Sequence, residues 1–203
     1  MKKLLLASAI ALFASVNAQT EKGSWVVSGK TGIGFNSATT KFSAQGQSVD
    51  GPEVSSFSIT PSAGYFVINN LAVGLDLSYT STKTTFKNDE LDVNIDNKQQ
   101  MFAVLPNATY YFATASAVRP YVGAGIGYAS VTGTSTFDEK ESTRGGLMWA
   151  AKGGIVYLVN STIGLDLGVG YNSFQSTESV QNIDIKTTVN TLAVAGGISF
   201  FFK

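Results

Sequence analysis

The chain has 203 residues, with 14 Lys plus Arg, 14 Asp plus Glu, no Cys and no His. Without Cys there are no disulfides, thiol nucleophiles or thiolate metal sites, and without His the usual general base near neutral pH and the commonest metal ligand are both missing. A formal charge of zero offers no electrostatic footprint for nucleic acid.

In chain order, Met1-Lys2-Lys3 opens an apolar run at 4–16, followed by Asn17-Ala18-Gln19. A basic start, an apolar middle and a small residue before the cut predict a secretory signal peptide over 1–18, cleaved after Ala18. The run is too short for the roughly 20 apolar residues of a membrane-spanning helix. Residues 19–203 are read as one domain. No Cys follows the cut, so no lipoprotein anchor is expected.

Eight segments with period-two alternation follow, over 25–36, 56–68, 71–83, 100–112, 119–131, 146–159, 162–174 and 190–202. Each exceeds the usual strand of five or six residues and suffices for the roughly 9–11 that a tilted strand needs to cross a bilayer. The third shows the pattern best. Leu71, Val73, Leu75, Leu77 and Tyr79 alternate with Ala72, Gly74, Asp76, Ser78 and Thr80. The seventh repeats it, and Gly74-Leu75-Asp76-Leu77 returns as Gly164-Leu165-Asp166-Leu167.

Connections alternate in length. The gaps at 69–70, 113–118 and 160–161 are short, and those at 37–55, 84–99, 132–145 and 175–189 are long. Short periplasmic turns and long outer loops are the habit of outer-membrane barrels. With both termini periplasmic, all four long gaps fall outside. The fold expected is all-β, an eight-stranded antiparallel transmembrane β-barrel in up-and-down order.

Aromatics fall at two levels in the lipid-facing phase. Trp25, Tyr65, Tyr110, Phe112, Tyr157, Phe200 and Phe202 lie near the periplasmic ends of their strands. Phe35, Phe57, Tyr79, Phe102, Tyr128, Trp149 and Tyr171 lie near the outer ends. Pro61 and Pro106 fall mid-strand and lack an amide donor, so a bulge or a locally opened ladder is expected at each. Gly51-Pro52 reads as the turn of the first loop.

In the same phase assignment Lys30, Asp76, Lys152 and Asp166 point inward at a similar depth. An eight-stranded barrel is just wide enough for its own side chains or one small ligand. Buried charges need partners, so these four are expected to form an interior network closing the lumen with Ser62, Asn107, Thr109 and waters. Phe66, Met101 and Tyr111 should narrow it further. No nucleophile constellation accompanies these charges, and no enzyme, cofactor or resident metal is expected. Asp89, Glu90, Asp92 and Asp96 make an acidic loop without the Gly and bidentate Glu of a calcium loop. Leu91, Val93, Ile95, Ile183 and Ile185 alternate within two long loops and are candidates for recognition of an extracellular ligand, either by strand addition or as simple loop stiffening. Their phase is opposite to that of Phe102 and Leu192, which implies either a bulge or a protruding sheet.

With these residues read, the chain resembles the small outer-membrane β-barrel family typified by OmpX and the membrane domain of OmpA, in versions from Bacteroidetes-type bacteria with Gln after the cleavage site. The resemblance spans 25–202. It implies an inward charge network, matched by Lys30, Asp76, Lys152 and Asp166. It also implies a terminal aromatic read by the barrel-assembly machinery, here Phe200 or Phe202, although Lys203 follows. The surroundings it implies are outer-membrane lipid and lipopolysaccharide. Its roles are envelope integrity, adhesion or surface binding. The alternative reading is a small pore or an OmpW-like carrier of small hydrophobic molecules, which would need an apolar, continuous or laterally open lumen.

Overall fold

The computed structural model describes residues 18–32, 38–44, 47–88, 93–135, 138–180 and 183–203, with side-chain surroundings for 19–32, 55–85, 96–134, 141–177 and 187–203. A short 3-10 turn, Ala18–Thr20, precedes β1 (Trp25–Gly32), β2 (Ala38–Ala44), β3 (Gln47–Ile68), β4 (Leu71–Asn88), β5 (Val93–Tyr111), β6 (Val118–Ser135), β7 (Asp138–Leu158), β8 (Ile163–Val180) and β9 (Ile183–Phe202). From β2 to β9, neighbours in sequence are neighbours in the sheet, all antiparallel. The sheet closes because β1 pairs on one side with β9, Trp25 opposite Phe202, and on the other with β3, Trp25 opposite Tyr65. The short β2 pairs with the far half of β3. β1 and β2 thus share one position in the wall, and the barrel has eight.

One end carries the first residues of β1 and the last of β9, and is called the terminal end below. The turns there are short. Asn69-Asn70 joins β3 to β4, with Asn70 in the left-handed region at φ 68°, a conformation Asn tolerates better than most residues. Asn160 Oδ1 accepts from the amides of Thr162 and Ile163, both at 2.8 Å, and so shapes the turn between β7 and β8.

At the other end the strands run further than the sequence implied. Most of the long gaps read as loops are strand: β4 continues to Asn88, β6 to Ser135 and β8 to Val180. Polar Thr-rich stretches alternate as well as apolar ones once they stand clear of hydrocarbon, and cross-strand pairing holds them. Gly51-Pro52 is not a turn. It lies inside β3, where the register with β2 shifts between Thr39 and Lys41. A residue without an amide donor beside a Gly is better suited to a bulge than to a regular ladder.

Pro61 and Pro106 behave alike. Registered pairing of β3 with β4 lapses at Thr60-Pro61 and resumes at Ser62 opposite Asp76 in the same register. Pairing of β5 with β6 lapses at Leu105-Pro106 and resumes at Asn107 opposite Gly125. The ladder opens locally without a bulge. Nor does a bulge intervene in the β4–β5 and β8–β9 hairpins. The registers β4–β5 and β8–β9 run unshifted out to Asn88 opposite Val93 and Val180 opposite Ile183.

Strict alternation sorts the side chains. Trp25, Tyr65, Tyr110, Phe112, Tyr157, Phe200 and Phe202 are exposed around the terminal end. Phe57, Tyr79, Phe102, Tyr128, Trp149 and Tyr171 are exposed at a second level, while Phe35 lies outside the described residues. Between these levels the outer face carries Val73, Leu75, Leu77, Val122, Ile126, Ile155, Leu165, Leu167, Val169, Val194 and Ile198. An exposed apolar belt flanked by two aromatic levels is the surface of a barrel that sits in hydrocarbon. Among the described residues no helix is long and apolar enough to cross a membrane, which says nothing about crossing with strands.

Candidate functional site

The lumen is built in layers. Nearest the terminal end lies an apolar and aromatic layer: Val26, Phe66, Ala72, Tyr111, Tyr121, Val156, Leu158 and Phe201 are buried together. Ring centroids stand 5.6 Å apart for Phe66 and Tyr111, 5.7 Å for Tyr111 and Tyr121, and 6.0 Å for Tyr111 and Phe201. Arg119 is fully buried at this end as well. Beneath it the chain before β1 folds across the mouth. Gln19 Nε2 donates to the Asn160 carbonyl at 2.8 Å, Thr20 Oγ1 lies 2.7 Å from Asn70 Oδ1, and the Gly23 amide donates to the Phe66 carbonyl at 2.9 Å. Gln19, Thr20 and Ser24 are buried by this arrangement.

The next layer holds the four inward charges, contributed by β1, β4, β7 and β8. Lys30 Nζ stands 3.0 Å from Asp166 Oδ2, and Lys152 Nζ stands 2.7 Å from Asp76 Oδ2. Tyr121 binds the first pair from both sides. Its hydroxyl accepts from Lys30 Nζ at 3.0 Å and donates to Asp166 Oδ1 at 2.8 Å. Lys30 Nζ also lies 4.5 Å from the centroid of the same ring. Ser199 Oγ is 3.3 Å from Asp166 Oδ2.

Glycine makes room for this layer. A Cβ on Gly168 would collide with the Tyr121 hydroxyl, and one on Gly123 would meet Thr109 Oγ1 and the Lys152 stem. Below the charges a cavity of about 20 Å³ touches Ser28, Ser62, Asp76, Asn107, Thr109 and Tyr111. That volume admits about one water, and the surrounding groups supply the polar partners a buried water needs. Ser28 and Ser62 are themselves hydrogen-bonded at 2.6 Å.

The lumen is not filled throughout. Beyond the charges, toward the long hairpins, lies an open cavity of about 540 Å³ with Lys30, Asp76, Tyr121 and Lys152 as its floor. Sequence reasoning expected the inward charges to close the lumen. The paired charges and the aromatic layer occupy its terminal end, but Gly168, Gly170, Ala150, Ala193 and Ala195 are too small to fill the barrel above them. Met101 packs on the inner face against Ala103, Leu105, Ala129, Met148 and Phe174.

Tyr121 is the member of this site that sequence reasoning missed. The signal was present, since Tyr121 shares the phase of Gly123, Gly125 and Gly127 on the inner face of β6. Of the five recognition candidates, Leu91 lies outside the described residues. Val93 and Ile95 lie on β5 and Ile183 and Ile185 on β9, where strand pairing alone is described. Of the acidic group, Asp89, Glu90 and Asp92 lie outside the described residues. Asp96 is engaged by Lys83 Nζ at 2.8 Å and Thr85 Oγ1 at 2.7 Å. No metal-ligating cluster occurs among the described residues.

Comparison with known proteins agrees with this architecture. Residues 4–202 match the model of the outer membrane protein beta-barrel domain family. No curated protein matches the chain. Among solved structures, Neisserial surface protein A (NspA) superposes with a TM-score of 0.52 at 22% identity, covering 88% of this chain and 97% of its own. OprG from Pseudomonas aeruginosa gives 0.52 at 18% identity, covering 90% and 97%. The N-terminal β-barrel domain of Pseudomonas aeruginosa OprF gives 0.50 at 15% identity, covering 89% and 98%. At these identities the likeness is one of fold.

Proposed function

The chain belongs to the outer membrane protein beta-barrel domain family, and from that premise we propose that it is a non-enzymatic, non-conducting outer-membrane barrel with a structural and surface-binding role. One observation carries this reading. The terminal end of the lumen is closed by two successive layers, the aromatic cluster around Phe66 and Tyr111 and the paired charges above it. An ion crossing would have to break both ion pairs and then pass a mostly apolar layer whose polar groups are limited to the tyrosine hydroxyls, which is costly in a low dielectric. In this reading the terminal end faces the periplasm after removal of residues 1–18. The extended hairpins face outward among lipopolysaccharide, toward an extracellular ligand, and the barrel-assembly machinery inserts the chain by its last strand.

The test is conductance of the refolded protein in planar bilayers, after gel migration before and after boiling has confirmed folding. Lys30→Ala and Asp76→Ala run beside it. The wild type should show no steady conductance. Stable, reproducible channels would overturn the closed-floor reading, and altered conductance in the variants would then put the four charges on the path.

A second reading, carriage of a small hydrophobic molecule, is favoured by the apolar side of the cavity, where Leu105, Met148 and Ala150 line it. β8 and β9 stay paired alongside it, Val169 opposite Val194 and Gly170 opposite Ala193, so entry would be through the open end of the lumen. Faster release of a trapped alkane-like fluorophore from vesicles holding the barrel than from empty vesicles would favour carriage over simple surface binding.

A further inference from the structure

The cavity above the charged layer has two chemically different walls. On β3 and β4 it is lined by hydroxyls, with Ser56, Ser58, Thr60, Ser78 and Thr80 in two facing rows. Thr60 Oγ1 and Ser78 Oγ are 3.2 Å apart, and Ser56 Oγ and Thr82 Oγ1 are 3.3 Å apart. Each hydroxyl has one donor and two acceptor positions, so one mutual bond leaves capacity unused. These residues are half-exposed, within the barrel. The wall on β5 and β7 is apolar: Leu105, Met148 and Ala150 line it, backed by Ala103, Ala129 and Phe174.

The floor decides the charge of an occupant. Lys30 is matched to Asp166 and Lys152 to Asp76, so it presents no net formal charge. A charged ligand brought down to it would be desolvated without a free counter-charge. A purely apolar ligand would strip water from the Ser and Thr rows and give no hydrogen bonds in return. A neutral molecule with hydroxyls along one edge and an aliphatic body along the other satisfies both walls. A volume of about 540 Å³ lies within the usual range for small-ligand pockets.

We propose that this cavity is a binding site for a neutral glycoside-type amphiphile. Its sugar hydroxyls lie on the Ser58, Thr60, Ser78 and Thr80 side, and its aliphatic part on Leu105, Met148 and Ala150. The proposal rests on the closed-floor reading, because a through-pore would hold no such resident molecule. The ligand can come from solution through the mouth or from a glycolipid of the outer leaflet. The chemistry recognised is the same.

The experiment uses the full barrel in phosphatidylcholine nanodiscs with methyl-labelled methionine, since Met148 lies in the apolar wall. In one arm n-hexyl-β-D-glucoside is titrated in, with hexanol and glucose as separate half-molecules. In a second arm the nanodiscs contain monoglucosyl diacylglycerol and no free glycoside. The Met148 methyl signal should shift saturably with the whole glycoside and at least tenfold more weakly with either half. A shift in the second arm marks a lipid source. Thr60→Val combined with Ser78→Ala should weaken glycoside binding about tenfold and leave the response to hexanol unchanged. Ala150→Phe, which fills the cavity, should abolish it. Folding of each variant is checked by heat-modifiable migration. No saturable shift in either arm, or halves that bind as well as the whole, would overturn the proposal. Conductance is read separately: a silent, non-binding barrel overturns this inference alone, whereas steady channels overturn the reading beneath it.

Discussion

Lys152 on β7 reaches across the lumen to Asp76 on β4, Nζ to Oδ2 at 2.7 Å, and the two elements are not neighbours in the sheet. A cross-lumen ion pair differs from a surface one because both partners are largely screened from bulk water, which reaches them only from the open cavity above. Both side chains are mostly buried. Asp76→Ala should therefore lower stability by roughly 2–4 kcal/mol, mainly because an ammonium is left without its counter-charge. Asp76→Leu combined with Lys152→Met should recover most of that loss. Urea unfolding of the wild type, Asp76→Leu, Lys152→Met and the double variant in the same lipid vesicles measures it. Two single losses that simply add in the double variant would show that the pair is not coupled.

Tyr121 gives a second double-mutant cycle. Tyr121→Phe removes the hydroxyl that links Lys30 to Asp166 and should cost about 1–2 kcal/mol. Gly168→Ala should cost a similar amount by pushing against that hydroxyl. In the Tyr121→Phe background the same Gly168→Ala change should cost much less, because the atom it crowds has gone. Equal costs in both backgrounds would assign the need for Gly168 to the backbone of β8 instead.

The barrel was legible because hydrocarbon outside and a crowded lumen inside force opposite chemistry onto alternate residues. Leu75 and Asp76 differ by one position and by face, and that contrast is visible without coordinates. The depth of the four charges was legible for the same reason. Tyr121 was not, because aromatics on such strands are expected in the outer girdles, and parity with Gly123 had to be weighed against that habit. The cavity was not legible either. Its volume depends on how far side chains such as Tyr121 reach over Gly168, and period-two reading gives direction without reach. The fold of residues 18–24 into the mouth rests on bonds to turn residues far along the chain, Asn70 and Asn160, which no local pattern reports. The reach of the strands beyond the outer aromatics was underestimated because polar residues on both faces look like loop.

Asp96 provides a pH test outside the apolar belt. Hydrogen bonds from Lys83 and Thr85 hold its carboxyl below the ordinary value of 3.8. A carboxylate whose folded value is depressed contributes stability above its unfolded value and loses it as pH falls through the folded one. Signals of Thr85 and Lys83 should thus be flat from neutral pH down to about 4 and move only below that. In Asp96→Asn the movement should vanish. A midpoint above the ordinary Asp value would mean that the Lys83 contact does not persist in solution.

The outer face makes the strongest demand on the membrane assignment. Leu167 is half-exposed in the middle of the apolar belt, one residue after the buried Asp166. If the belt lies in hydrocarbon, Leu167→Arg must place a guanidinium at mid-depth and should cost about 2–4 kcal/mol of folding into lipid vesicles. Thr80→Arg, near the open end of the lumen, should cost less than about 1 kcal/mol, since that side chain can reach water. Tryptophan fluorescence of urea-driven folding into dilauroyl phosphatidylcholine vesicles reads both. Equal small costs at the two positions would mean that Leu167 faces water, and the belt would then need a protein partner in place of lipid.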